Sequence, residues 1–383
     1  MQFFSSNFKL GILGGGQLGK MLLYDCKRYD IFTKIMDPNE NAPSSKLADE
    51  FTIGDLTNYE DVINFCNDVD VITVEIENVN TDALEFLENN GKKVFPSPST
   101  LRTIQNKSKQ KDFYKENNLP TSDYKNYTCL EDIIKDFNND NIKLPAVWKS
   151  AKFGYDGKGV KIVRSFKDIK SLPNMECLIE DKVDIKKEIS VIVARNQDGN
   201  EVCFPAVEME FNSDSNLVEY IMCPANISKN IEDKAYEIAK KTARNFNSIG
   251  LLAVELFLTN EDEILINEVA PRPHNSGHHT IECCLTSQFD QHIRSILNLP
   301  LGSTDIKVPG IMVNLVGENK IEGDVIYKNI NQVMNIPGVS THLYGKKKSR
   351  LNRKMGHITI VNSEIEQAIK IGKEIKELVK VTA

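Results

Sequence analysis

The chain has 383 residues, of which 26% are charged and 40% hydrophobic, and it carries a formal net charge of −7 with a pI near 5.6. That length suffices for two or three domains with a sizeable core. The acidic balance argues against a nucleic-acid binder, which needs a basic face to neutralise phosphates, and no apolar run approaches the ~18 residues that span a bilayer.

Residues 8 to 95 alternate between short apolar runs and helical segments. LGIL (10–13), TKIMD (33–37), DVITVEI (70–76) and KKVFPS (92–97) read as strands, with helices over 16–29, 59–68 and 81–90 between them. Strands separated by helices imply βαβ units and a parallel sheet. Gly14, Gly16 and Gly19 fit the G-x-G-x-x-G spacing of a dinucleotide-binding turn, and Asp37 closes the second strand where such a fold holds a ribose. On these residues a nicotinamide-dependent dehydrogenase is one reading. A helix start of this kind also offers its amides to any anion, a sugar phosphate included.

One helix is expected from Pro98 to Asn117. From Pro145 the strands come in hairpins: PAVWKS with KGVKIV, then EISVIVARN with EVCFPAVEM across NQDGN. Ser228 is a good N-cap, and Ile231, Ala235, Ile238, Ala239, Thr242, Ala243 and Phe246 follow at helical spacing as a core stripe. From Val308 strands mix with a terminal helix, residues 363–379. The whole reads as α/β at the start and α+β behind it. The N-terminus lacks the basic start and long apolar segment of a signal peptide. Eight cysteines without a C-x-x-C pair fit neither zinc nor a disulfide framework, so a reducing cytoplasm is expected.

Chemistry concentrates in three places. In LLAVELFLTNEDEILINEVAPRPHNSGHHT (251–280) two strands flank the loop 260–263; a symmetric hairpin sets 257 opposite 266 and Glu255 opposite Glu268. Opposed side chains have Cβ atoms ~4.5–5.5 Å apart. Two carboxylates in a partly buried place must share a proton or hold a cation, and magnesium with phosphate oxygens completing its shell suits them. In WKSAKFGYDGKGVKIV (148–163), Gly154, Gly157 and Gly159 lie among Lys149, Lys152 and Lys158, a loop able to cradle phosphate but not a Walker A motif. In CLIEDKVDIKKEISVIV (177–193), a strand ends at Glu180-Asp181-Lys182 and Glu188 follows, a place for an adenine on the backbone and a ribose on Glu188. His274, His278 and His279 invite zinc, but Asn275, Ser276 and Gly277 disfavour the helix that His274 and His278 would need to share a metal.

The order of glycine loop, hinge and paired glutamates resembles the ATP-grasp enzymes. With APRPHNSGHHT, GGGQLGKM, FGYDGKG and HLYGKKKSRLNRKMGHI, the chain from about residue 8 to 362 resembles the 5-(carboxyamino)imidazole ribonucleotide synthase family of purine biosynthesis, without the mutase domain fused to some eukaryotic relatives. The resemblance implies an N-terminal Rossmann-like pre-ATP-grasp domain (1–105), a lid subdomain with the glycine-rich loop (106–185), and a catalytic domain with a C-terminal subdomain (186–383). It implies ATP phosphates on Lys149 and on Lys107, with Lys109 and Lys111 as alternatives to Lys107, a lid over Gly154, Tyr155, Asp156, Gly157, Lys158, Gly159 and Val160, adenine at Glu180, Asp181, Lys182 and Val183, ribose on Glu188, and magnesium on Glu255 and Glu268 beside Asn267. Gln17, Glu75 or Glu77, Tyr155, Asp156, Arg272, His274, Lys346 and Arg353 match a pocket for aminoimidazole ribonucleotide. Asp156, Lys158 and Arg272 match catalytic positions, with Asp156 the candidate acceptor of the amine proton. The implied reaction uses ATP and bicarbonate through carboxyphosphate, in a cytoplasmic homodimer that binds neither nucleic acid nor membrane. A formate-using glycinamide ribonucleotide transformylase is the alternative within the superfamily, and a silent nucleotide-binding module lies outside it.

Overall fold

The computed structural model of the chain describes residues 3–152 and 159–383. Its first part runs β1 (Lys9–Leu13), α1 (Gln17–Arg28), β2 (Phe32–Asp37), β3 (Glu50–Ile53), α2 (Tyr59–Cys66), β4 (Val71–Val74), α3 (Thr81–Asn89) and β5 (Lys93–Phe95). The five strands form one parallel sheet in the order β3-β2-β1-β4-β5. Leu10, Ile12, Val71 and Ile72 are fully buried, as strands covered on both faces require. The order changes direction between β1 and β4, so the crevice beyond their carboxyl ends is where this topology receives ligands.

The helix expected over 98–117 is two helices, α4 (Pro98–Ile104) and α5 (Lys107–Glu116). The break has a local cause: Asn106 caps α5, its side chain accepting from Lys109 N, and Lys107 N donates to Ala151 O at 2.7 Å instead of continuing the helix. A four-stranded antiparallel sheet follows, built from β6 (Tyr124–Tyr127), β7 (Ala146–Ser150), β8 (Val160–Val163) and β9 (Cys177–Asp181) in the order β6-β9-β7-β8. Helices α6 (Leu130–Asn138) and α7 (Phe166–Lys170) cover it over a core that includes Ile133, Trp148 and Ile169.

The largest sheet is antiparallel and has nine strands among the described residues. It contains β10 (Ile185–Arg195), β11 (Glu201–Cys203), β12 (Val207–Phe211), β13 (Val218–Cys223), β14 (Gly250–Thr259), β15 (Ile264–Ala270) and β16 (Gly310–Val316), then the strands Lys354–Val361 and Val339–Leu343. The expected 196–200 hairpin is present, pairing Arg195 with Glu201. Helix α8 (Lys229–Asn245), capped by Ser228, lays Ile231, Ala235, Ala239 and Ala243 on Ile189, Val191, Val254 and Leu256. The terminal helix Ile365–Leu378 covers the far end of the same sheet through Ala368 and Ile375. The helix Gln288–Ile296 packs Phe289, Ile293 and Ile296 against Leu10, Ile12 and Leu22, and Leu251 N on β14 donates to its His292 Nδ1 at 3.4 Å, so this helix links the parallel and antiparallel sheets.

Candidate active site

The glycine turn after β1 meets the chain's own carboxylates. Gly15 N donates to Asp37 Oδ2 at 2.8 Å, Gly16 N to Glu75 Oε1 at 3.0 Å and Gly19 N to Glu75 Oε2 at 2.9 Å. Gly14 has φ +104°, and a Cβ there or on Gly16 would lie 2.5 or 2.4 Å from Glu75. The glycines admit a glutamate, which satisfies the orphan amides of α1 and complements its dipole. This corrects the expectation that Gly16 and Gly19 offer their amides to an outside anion, and it removes the pyrophosphate seat that the dehydrogenase reading needs. Gln17 is the first residue of α1 at this switch point. Glu77, in the loop that follows β4, pairs with Arg272 Nη2 at 2.8 Å, joining the parallel sheet to the segment after β15.

The expected opposition of Glu255 and Glu268 is present, but the route to it differs. Phe257 faces Leu265 and Leu256 faces Ile266, with a β-bulge at Asn267 restoring the match of 255 with 268. The bulge turns Ile266 into the α8 core, where it is fully buried, and leaves Glu255, Glu268 and Asn267 to the other side. Glu188 sits opposite Phe257 on β10, so it shares the face of Glu255. Burial first, then the charges of Glu268 and Glu188, raise the Glu255 carboxyl. Lys107 chiefly lowers that of Glu268. Burial pushes Glu188 up to about 7.

Three lysines approach these carboxylates. Lys107 Nζ bonds Glu268 Oε2, and although burial opposes its charge, Glu268 keeps the ammonium's pKa above the usual lysine value. The register of the small sheet puts Val147 opposite Glu180 and Lys149 opposite Leu178, so Lys149 and Glu180 share a face; Lys149 Nζ lies 3.0 Å from Glu180 Oε2 and donates to Asn267 Oδ1 at 3.0 Å. Lys111, one turn beyond Lys107 on α5, lies 3.2 Å from Glu180 Oε1. Lys109 is exposed on the other side of that helix, so helical spacing (107, 111) selects the inward pair. Asp181 and Lys182 are exposed and Val183 half-buried, in the connection between β9 and β10.

The loop after β15 is held by Gln288, which accepts from His274 N and donates to His274 O, both at 2.8 Å. His274 Nε2 lies 3.6 Å from Glu255 Oε1, and its Nδ1 meets Ser276 Oγ at 2.9 Å. Ser190, on the face of Glu255, meets the same hydroxyl at 2.9 Å. His278 Nδ1 pairs with Gln288 Nε2 at 3.1 Å and His279 Nδ1 with Ser276 O at 3.0 Å, roles in loop structure. Among the described residues no three His, Cys, Asp or Glu side chains converge as a metal site. Lys346 donates to Lys354 O at 2.8 Å and Arg353 to Lys348 O at 2.7 Å in the basic C-terminal stretch. Gly159 (φ +75°) accepts from Ser150 N through its carbonyl, and Val160 opens β8. Gly154, Tyr155, Asp156, Gly157 and Lys158 lie outside the described residues. Sequence reasoning missed Ser190 and Gln288. It left Lys107, Lys109 and Lys111 as alternatives for one basic position; their phase from the Asn106 cap separates them, a signal that the single-helix expectation hid.

A parallel sheet with a ligand crevice, a small antiparallel sheet carrying a lysine and an acidic hinge, and a large sheet carrying paired glutamates define an ATP-grasp enzyme. Accordingly, residues 8–105 match the ribonucleotide synthetase preATP-grasp domain, 112–289 the ATP-grasp domain, and 310–371 the phosphoribosylaminoimidazole carboxylase C-terminal domain. The N5-carboxyaminoimidazole ribonucleotide synthase of Bacillus subtilis is 35% identical, over 94% of this chain and 93% of its own. The synthetase structure from Thermotoga maritima is 40% identical with a TM-score of 0.90, covering 98% of this chain and 99% of that one. The Aspergillus clavatus synthase, solved with ADP and 5-aminoimidazole ribonucleotide, is 32% identical with a TM-score of 0.88, covering 98% and 99%. Longer relatives exist: the chain spans 64% of the chloroplastic phosphoribosylaminoimidazole carboxylase of Vigna aconitifolia. The chain belongs to the N5-carboxyaminoimidazole ribonucleotide synthase family.

Proposed function

We propose that the chain is an ATP-dependent carbon–nitrogen ligase that carboxylates 5-aminoimidazole ribonucleotide with bicarbonate in purine biosynthesis. Bicarbonate oxygen attacks the γ-phosphorus of ATP, giving ADP and carboxyphosphate. The exocyclic amine of the ribonucleotide then bonds to the carboxyl carbon, either directly or after release of carbon dioxide, and phosphate and the amine proton leave. The observation that carries this reading is the convergence of Glu255, Glu268 and Asn267 with Lys107 and Lys149 beside the 180–183 hinge. The ADP and ribonucleotide complex of the Aspergillus relative supports it.

Phosphoryl transfer asks a protein mainly for positioning and charge. Lys149 and Lys107 would bind the phosphates, residues 180–183 the adenine, and Glu188 the ribose. Glu255 and Glu268, two opposed carboxylates with an amide oxygen beside them, are an oxygen-only donor set that fits a hard divalent cation while leaving its remaining positions to phosphate. Magnesium held there would neutralise charge on the polyphosphate. Gln17 and the Glu77–Arg272 pair, at the crevice of the parallel sheet, would hold the ribonucleotide, with His274 between the two sites and Lys346 and Arg353 at its phosphate. Glu75 serves this region through α1. Asp156 is assigned to the amine proton and Lys158 to charge on the transferred group. If Asp156→Asn keeps full turnover and only weakens ribonucleotide binding, the proton role is wrong.

The division at residues 105 and 185, residence in the cytoplasm and a homodimer are parts of the same reading. The eight free cysteines suit a reducing compartment, and no helix among the described residues is long and apolar enough to cross a membrane. The deciding assay is phosphate release from ATP that requires both aminoimidazole ribonucleotide and bicarbonate. Release driven instead by formate and glycinamide ribonucleotide would replace this function with the transformylase.

A further inference from the structure

Lys111 is a lysine inside the protein, 3% exposed. Its ammonium donates to Thr121 Oγ1 at 2.6 Å and Ser122 Oγ at 3.0 Å and lies 3.2 Å from Glu180 Oε1. Two hydroxyls thus accept from the ammonium and a carboxylate oxygen answers its charge, the pairing under which a buried ammonium is tolerated. Thr121 in turn donates to Ile266 O on β15 at 2.8 Å, so the arrangement is tied to the strand that carries Asn267 and Glu268. Glu180, also 3% exposed, has its second oxygen 3.0 Å from Lys149 Nζ. One buried carboxylate is therefore divided between two ammoniums, only one of which lies beside Asn267 and the paired glutamates.

A lysine that must grip a phosphate has to leave its resting partner. At low dielectric an unshared carboxylate would hold Lys149 tightly, because nothing else answers its charge. A carboxylate already engaged by a second, fixed ammonium holds it less. Lys111 is fixed: Thr121 and Ser122 anchor it, and it has no open side toward solvent.

We propose that Lys111 is a positioning residue for ATP: by taking a share of the Glu180 charge it leaves Lys149 free to move onto the phosphates, without itself touching the nucleotide. This rests on the reading of Lys149 as a phosphate ligand. A pH effect accompanies it. Burial lowers Lys111 to about 8, against the opposing pull of Glu180 and with Lys149 and Lys107 adding to the depression; the Tyr124 ring, 6.0 Å away, also faces it. Above that pH the ammonium is lost, and Lys149 is the one ammonium left against Glu180, whose Oε2 also accepts from Ser122 Oγ at 3.3 Å.

The test is calorimetric binding of ATP and of adenosine to the full chain, with steady-state kinetics alongside. Lys111→Met is expected to weaken ATP about tenfold, the order of one charge-assisted contact, with adenosine and kcat changed by less than about twofold. ATP affinity of the parent falls as pH rises past about 8, and the variant lacks that fall. Adding Glu180→Gln to Lys111→Met recovers most of the lost ATP affinity and removes the unpaired buried carboxylate, so this pair also answers if the single variant does not fold. Equal weakening of adenosine, unchanged ATP binding, or a double variant worse than the single one would overturn the proposal. Lys149→Met separates the two levels. If it leaves ATP binding intact, the phosphate role of Lys149 fails and this inference with it; if it weakens ATP while Lys111→Met does not, only the inference fails.

Discussion

Glu188 and Glu268 lie on one face of one sheet, yet their surroundings drive them apart: Lys107 lowers the second, and burial raises the first to about 7. In the fold Glu188 keeps its proton up to about 7, and unfolded only to about 4.5, so folding takes up a proton between these values and stability falls as pH climbs through them. Glu188→Gln should therefore melt higher than the parent at pH 8, by roughly 2 kcal/mol, with the difference shrinking toward pH 5. Nucleotide binding has the opposite sign, since an ionised carboxylate is the better acceptor for ribose hydroxyls. ATP affinity should rise from pH 6 to 8 in the parent and stay flat in Glu188→Gln; a parallel pair of profiles would remove Glu188 from the ribose site. Glu268→Gln should lower turnover by about two orders of magnitude, the scale of losing one electrostatic stabiliser. It should also abolish the electron-paramagnetic signal of Mn2+ bound with ATP, and a retained signal would place the cation elsewhere.

At the scale of elements, Glu75 is part of α1 although it belongs to the loop after β4. Its loss by Glu75→Ala should cost about 1–2 kcal/mol, as for other helix caps, measured by chemical denaturation, and Gly16→Ala should cost at least as much because its Cβ would meet the Glu75 oxygen at 2.4 Å. Equal stability of both variants with the parent would mean the cap carries no weight. This element also marks where sequence reasoning stops. The βαβ start, the hairpins, the Ser228 cap and the facing of Glu255 with Glu268 all follow from local patterns of apolar period, turn residues and caps. That Glu75 is the anion at α1 could not be read, because it lies 56 residues from Gly19 and a carboxylate after a strand looks the same whether it faces an amide or a ligand. The bulge at Asn267 was hidden for another reason: a symmetric hairpin and a bulged one with a shorter loop both oppose residues 255 and 268. The asparagine at position 106 is a capping residue, but neither glycine nor proline follows Pro98 to mark a break before residue 117, so the phase that separates Lys111 from Lys109 was lost.

The molecule as a whole is joined through the Gln288–Ile296 helix and by polar contacts such as Thr73 Oγ1 to His292 Nε2 at 2.9 Å and Tyr29 OH to Asp290 at 2.7 Å. A buried helix packed between the two sheets predicts shared melting: calorimetry should give one transition, which Ile293→Ala lowers by about 2–5 kcal/mol without splitting it. Two resolved transitions would show that the parallel sheet unfolds on its own. ATP at a hundred times its dissociation constant should raise the same single transition by about 2.7 kcal/mol. The paired lysines bear on how that nucleotide arrives. Lys107 and Lys149 meet ATP already neutralised by Glu268 and Glu180, on a chain whose net charge is −7. Binding is then an exchange of ion pairs, in which each ammonium trades a carboxylate for a phosphate and few dissolved ions are released. Affinity for the tetra-anion should accordingly change little between low and high ionic strength, unlike that of a site whose bare cations gather counter-ions from solution.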